Sequence, residues 1–194
     1  IDKYGPDTAR LFILFTALPE KELEWNDQGV HGSFRFLKRV FSLVEEMPEF
    51  SSVIENRDKK IISKLNKTVK KVTELIEEFK LSLAIGALME FVNDIYKYKE
   101  KEVNKKIYME CVSVVSLLIA PFAPHIAEEM WLKLKGKGMI SVAKWPGFDD
   151  SKIDDEAEAL EDSVMNIVND IRRVLELIKV STPKSIKLIV SFSW

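Results

Sequence analysis

The sequence predicts an all-α helical bundle followed by the beginning of a small α/β unit. Three observations carry this. Apolar residues recur at spacings of three and four through most of the chain, the period of helices with one buried face. Prolines and polar clusters divide that pattern into helix-length segments. Only the closing stretch SIKLIVSFSW alternates apolar and polar residues as a strand does.

The elements follow in order. Residues 7–17 (DTARLFILFTA) form a short apolar helix opened by Asp7 as N-cap and ended by Pro19. Asn26 or Asp27 caps a second helix over 27–47, which stops before Pro48. A third runs from Asp58 to Phe79, with Ile62, Leu65, Val69, Val72, Ile76 and Phe79 as its apolar seam. A fourth, 82–98, buries Ala84, Ile85, Leu88, Phe91, Val92 and Ile95. A fifth, 103–119, is nearly all apolar toward its end, as a central helix would be, and Pro121 breaks it. Pro124 in a first-turn position starts 124–134. The segment KGKGMISVAKWPGFDD is irregular and reads as a domain boundary or a strap across the bundle. A long amphipathic helix over 155–180 rests on Leu160, Val164, Val168, Ile171, Leu175 and Ile178. The strand at 185–194 follows, exposing Ile186, Leu188, Val190, Phe192 and Trp194 on one side. A lone strand leaves its backbone unpaired, so it is expected to pair with another copy or to fray.

With 194 residues, 46% of them hydrophobic and 31% charged, the chain has material for one compact domain and an appendage. Ile1 and Trp194 both lie next to patterned sequence, so the chain reads as a piece of a longer polypeptide. The formal net charge of -2 excludes a polycation, and any nucleic-acid contact must be a local cluster. One cysteine, Cys111, rules out an internal disulfide and fits the reducing cytoplasm. No apolar run approaches the roughly 20 residues that span a bilayer, so no membrane partner is expected.

Catalytic signals are missing. His31 and His125 are far apart and lack neighbouring ligands at metal spacing. No phosphate-binding glycine loop occurs, and Cys111 sits in an apolar helix as a core thiol would. Neither catalytic nor metal-ligating residues are therefore expected.

The positive signal is the placement of basic residues. A turn of about 100° per residue puts Leu37, Val40, Phe41 and Val44 on one side of the second helix, with His31, Arg35, Lys38, Arg39 and Ser42 opposite. On the third helix Lys60, Lys64, Lys67 and Lys71 form a stripe opposite the seam. Like charges at i,i+4 destabilise a helix by a few tenths of a kcal/mol per pair. Lysines at its start and Glu74, Glu77 and Glu78 at its end also oppose the macrodipole. A helix that gives up stability in this way is expected to face a polyanion such as an RNA backbone. On that reading, neutralising Lys64 and Lys67 leaves stability unchanged or slightly raised. The competing reading is a solvated face with no partner. By contrast, the helix at 155–180 is acidic at its start (DDEAEALED) and basic near its end, in agreement with its dipole.

The stretch YGPDTARLFILFTALPEKELEWNDQGVHGSFRFLKRV resembles the segment that follows the KMSKS loop in class I aminoacyl-tRNA synthetases. The pattern Gly5-x-Asp7-x-x-Arg10, then Trp25-x-Asp27-x-Gly29-x-x-Gly32-x-x-Arg35-Phe36-Leu37, resembles leucyl-tRNA synthetases in particular. APFAPHIAEEMW (120–131) and SVAKWPGFD (141–149) are similar to the closing helix and strap of the same domain. The resemblance covers about residues 1–150, and the tail resembles the start of the C-terminal domain of archaeal-type leucyl enzymes.

The resemblance implies the class Ia anticodon-binding fold. Residues 1–26 would connect from the catalytic half, with Trp25 and the glycines making the entry. Residues 27–150 would form the bundle and strap, and 151–194 the truncated start of the C-terminal unit. It implies leucine-accepting tRNA and the remainder of the parent synthetase as partners, with Arg35, Lys38, Arg39, Lys60, Lys64, Lys67 and Lys71 as RNA-binding candidates. The parent would use ATP and Mg²⁺ to join leucine to tRNA in the cytoplasm. The fragment holds no cofactor and is expected to do neither step. The alternatives are the same domain of an isoleucyl or valyl enzyme, or a helical protein-interaction scaffold.

Overall fold

The computed structural model describes residues 3–16, 26–52 and 55–189. Trp25 and the end of the expected strand, Val190–Trp194, lie outside the described residues. Within them the chain forms seven α-helices: α1 (Pro6–Thr16), α2 (Asp27–Glu45), α3 (Asn56–Glu77), α4 (Leu81–Tyr98), α5 (Lys105–Ile119), α6 (Pro124–Lys133) and α7 (Asp155–Leu177). The first six form the bundle. Its core is one continuous apolar cluster fed by α1 to α6, with Leu37, Leu43, Ile85, Leu88, Phe91, Tyr108 and Leu118 among its deeply buried members.

The helix starts follow from local chemistry. The Asn26 side chain accepts from the amides of Gln28 (2.9 Å) and Gly29 (3.3 Å), which caps α2. Asn104 caps α5 in the same way. For α3 the sequence pointed to Asp58 as the start, but the helix begins earlier. Asp58 is its third residue, and its carboxylate accepts from the Glu55 amide in a capping box. Tyr98 at the end of α4 also donates to that buried carboxylate, and burial together with Asp58 pushes the phenol well above its usual range.

The reading of Asp7 as an N-cap of the first helix is corrected. Asp7 lies inside α1, is buried, and reaches across to α6. Its carboxylate accepts from the Ile126 amide (2.8 Å) and meets His125 Nδ1 (2.7 Å). The residue that should cap α6, Ala123, has no side-chain acceptor, so Asp7 supplies one from another helix.

Among the described residues, three helices end on a non-glycine residue in the left-handed region: Phe79 (φ 57°), Lys135 (φ 59°) and Lys179 (φ 57°). In each the two following amides fold back onto the last turn; after α3, Lys80 donates to the Leu75 carbonyl and Phe79 to that of Ile76. This turn carries Phe79 out of the seam expected from the sequence, and the side chain is exposed.

Two features were not foreseen. Phe50–Ser51 (β1) and Val103–Asn104 (β2) pair in parallel at one end of the bundle. The glycine at 29 permits close approach of α1 and α2, because a Cβ there would stand 2.6 Å from the Phe12 ring. Gly32, by contrast, has open space around its Cβ position.

The segment after α6 is a strap. The Ile140 amide donates to Glu128, Trp145 Nε1 to Thr73 Oγ1 and the Asp149 amide to Asn66 Oδ1, which lays the chain along α3. α7 then packs chiefly on α3. Residues 185–189 form no strand, and Ile186, Leu188 and Ile189 are exposed.

Candidate nucleic-acid interface

The lysine stripe on α3 does not face open solvent. The acidic start of α7 lies along it in antiparallel order. Lys60 Nζ is 2.5 Å from Asp162 and Lys64 Nζ 3.2 Å from Glu158. Lys67 contacts Glu158 (2.9 Å) and also Asp155. Outside the predicted stripe, Lys70 continues the row at 3.0 Å from Asp150.

Glu158 is the centre of this arrangement and is 7% exposed. Ser63 donates to it as well, and the Ser63 oxygen accepts from the Asp154 amide (2.9 Å). Burial alone would raise the Glu158 carboxyl, but the hydrogen bonds from Ser63, Lys67 and Lys64 outweigh it and hold the group below its usual range. Asp162 is held low chiefly by its bond from Lys60. The polyanion that answers the stripe in this structure is therefore the chain's own α7. Both Lys64 and Lys67 make attractive pairs with α7, so neutralising them is expected to cost stability rather than to leave it unchanged or slightly raised. Lys71 stands apart, 57% exposed and 3.6 Å from Glu90.

The basic face of α2 is different. Arg35 and Lys38 are exposed, and neither makes an ion pair with a described residue. Lys38 sits 5.9 Å from the centroid of the Phe34 ring. Arg39, one position on, is committed to α4. Its guanidinium donates to Asn93 Oδ1 (2.9 Å) and lies 4.6 Å from the centre of the Tyr96 ring, while the Tyr96 hydroxyl donates back to the Arg39 carbonyl.

Aromatic rings join this face from the turn that precedes α1. Tyr4 meets Phe34 edge-on at 5.5 Å and His31 at 6.3 Å, and Lys3 lies 5.0 Å from the Tyr4 ring. The ring cluster borders an open groove of about 560 Å³ between α1, α2 and α6, lined by Leu37, Phe41 and Ile126 with Lys38 at its edge. The sequence pattern singles out Arg35 and Lys38 but not Lys3, Tyr4 or Phe34, which come together only through the α1–α2 packing. Unpaired cations beside partly exposed rings can neutralise phosphates and stack against bases.

Among the described residues no three His, Cys, Asp or Glu side chains converge to hold a metal. Cys111 is fully buried, and burial pushes its thiol far above the usual range. No helix of the described residues is long and apolar enough to cross a membrane.

Comparison with known proteins adds to the geometry. Residues 58–190 match the family model of the anticodon-binding domain of tRNA ligase. The chain is 45% identical over 167 residues to a leucine–tRNA ligase of Geotalea uraniireducens, covering 80% of this chain and 20% of that protein. It is 41% identical over 182 residues to one of Prochlorococcus marinus, covering 87% and 20%. It is 40% identical over 167 residues to one of Fusobacterium nucleatum, covering 79% and 19%. The chain thus spans about a fifth of the length of these relatives. A solved ternary complex of Agrobacterium radiobacter K84 LeuRS with tRNA and LeuAMS shares the fold at a TM-score of 0.68 and 24% identity, over 78% of this chain and 20% of that one.

Proposed function

The chain belongs to the anticodon-binding domain family of tRNA ligases, and on that premise we propose that it is the tRNA-binding helical domain of a leucine–tRNA ligase. The observation that carries the reading is the identity of 40 to 45% with leucine–tRNA ligases over most of the chain. It favours leucine over the isoleucine and valine alternatives. In this reading the parent enzyme, in the cytoplasm, uses ATP and Mg²⁺ to join leucine to tRNA. The ATP site belongs to the part of the parent that this chain does not include. Residues 1–26 lead in from that part, with α1 already packed into the bundle; 27–150 supply the rest of the bundle and the strap, and 151–194 begin a C-terminal unit.

Arg35 and Lys38 are the first RNA contacts in this proposal, since their charges are exposed and unpaired within the described residues. Arg39, next on α2, and Lys71, on α3, are already engaged by Asn93 and Glu90. Lys60, Lys64 and Lys67 reach RNA only where α7 is displaced. The test is a salt titration of tRNA binding. Arg35→Gln with Lys38→Gln should weaken all tRNAs alike, because phosphate contacts position RNA without reading it. It should also flatten the log–log salt slope by about 0.7 to 0.9 for each phosphate that is no longer neutralised. Lys64→Gln with Lys67→Gln should leave the slope nearly unchanged. An unchanged slope in the α2 variant overturns the assignment, and absence of salt-sensitive tRNA binding by the wild type favours the scaffold alternative.

A further inference from the structure

The α3–α7 contact is built unlike any other helix pair in the described residues. Of the 23 residues of α7, only Ala157 and Glu158 are buried, and none belongs to the main apolar core. Its start is fastened by a row of opposed charges together with Ser63, which donates to Glu158 and accepts from the Asp154 amide, and farther along Met165 and Val168 are half-buried. Lys60, Lys64 and Lys67 on one helix meet Asp162, Glu158 and Asp155 on the other, with spacings of four then three mirrored by four then three. Past Asp162 the helix continues with Val164, Ile167, Val174 and Leu177 exposed.

We propose that this ladder is an ionic latch: α7 is held against the bundle by charge, and it leaves as a rigid helix when those charges are screened or neutralised. Apolar packing survives salt, whereas exposed ion pairs weaken in it: the Asp162 and Asp155 rungs are exposed and screened most, the buried Glu158 rung least. The screening length falls from about 10 Å at 0.1 M salt to about 3 Å at 1 M. The helix itself does not depend on the bundle for its ends. Asp154 caps it by accepting from the Ala157 amide, its first turn is acidic, and a left-handed turn at Lys179 closes it. The pivot is the strap's end at Asp149–Asp154. There the Asp149 amide is tied to Asn66 and Lys70 to Asp150, so opening would begin at the Asp162 end, the last rung of the ladder.

Electron spin resonance distances test this in the 194-residue chain, with labels at Lys59→Cys on α3 and Asn169→Cys on α7. Both positions are exposed, and the native Cys111 is buried and inaccessible to the label. One narrow distance is expected at about 0.1 M NaCl, broadening toward longer values at about 1 M, while far-UV circular dichroism stays constant. Glu158→Gln with Asp162→Asn should show the broad distribution already at low salt. Lys60→Glu or Asp162→Lys alone should open the latch, and the two together should close it again. A wild-type distance unchanged by salt overturns the proposal without requiring any variant to fold. So does failure of the charge-exchanged pair to restore the narrow distance, since packing would then hold α7.

Discussion

The two sides of α3 make helix contacts of opposite physics. Toward the core, Ile61, Leu65, Val69 and Val72 pack into a dry interior shared with α4 and α5. Toward α7, Lys60, Lys64 and Lys67 face carboxylates, of which Asp155 and Asp162 are open to water and Glu158 is buried. The first contact fixes the bundle and is largely indifferent to ions. The second adds little stability and depends on ionic conditions. One helix can therefore be both a permanent core element and a reversible dock.

The largest expected effect lies on the dry side. Leu65→Ala should destabilise the bundle by about 2–5 kcal/mol through reduced burial and the cavity left behind. Chemical denaturation should give nearly the same loss at low and high salt. A strongly salt-dependent loss would break the contrast between the two faces.

A smaller effect is expected on the wet side. Lys64→Gln with Lys67→Gln should cost about 1 kcal/mol, the scale of a few partly exposed ion pairs. The loss should vanish as salt rises, and it should appear in amide exchange of α7 before it appears in the core helices.

The smallest effect is a two-stage response to pH. Asp94 on α4 lies near Lys60, Lys64, Lys97 and Asp162, and burial raises its carboxyl above the usual range. An acid raised in the folded state opposes folding when ionised, so lowering the pH through its folded value relieves that cost. Glu158 and Asp162 are shifted the other way. Their contribution is complete above their unfolded values, roughly pH 4, and is lost as pH falls through their depressed values. Docking of α7, followed by the same label pair, should hold or tighten slightly on mild acidification and then fail in stronger acid. Asp94→Asn should remove only the first stage.

Much of the bundle was legible in the sequence. The seams, the Asn26 cap and the Pro124 start are short-range signals, set by residues within a turn or two of each other. The misread features are long-range. Asp7 looks like a local cap because Asp before an apolar run usually is one; its partners are 118 and 119 residues away. The lysine row and the acidic start of the last helix are both visible in the sequence, but each weighed against its own helix dipole hides the match between them. Mirrored spacing of 60, 64, 67 and 155, 158, 162 was the available signal. Arg35 and Lys38 stay exposed as expected, but the Tyr4–Phe34 rings beside them depend on helix packing that no local pattern reports.

The reach of Asp7 into the start of α6 also has a consequence for how the chain is made. The carboxylate that completes α6 is synthesised 119 positions before the amide it receives. At roughly 5–20 residues per second, α1 emerges on the order of ten seconds before its partner exists. During that interval its apolar side chains have α2 and α4 to settle on, but the lock that joins it to α6 cannot close. The Asp7–Ile126 bond therefore forms only after most of the bundle has been made.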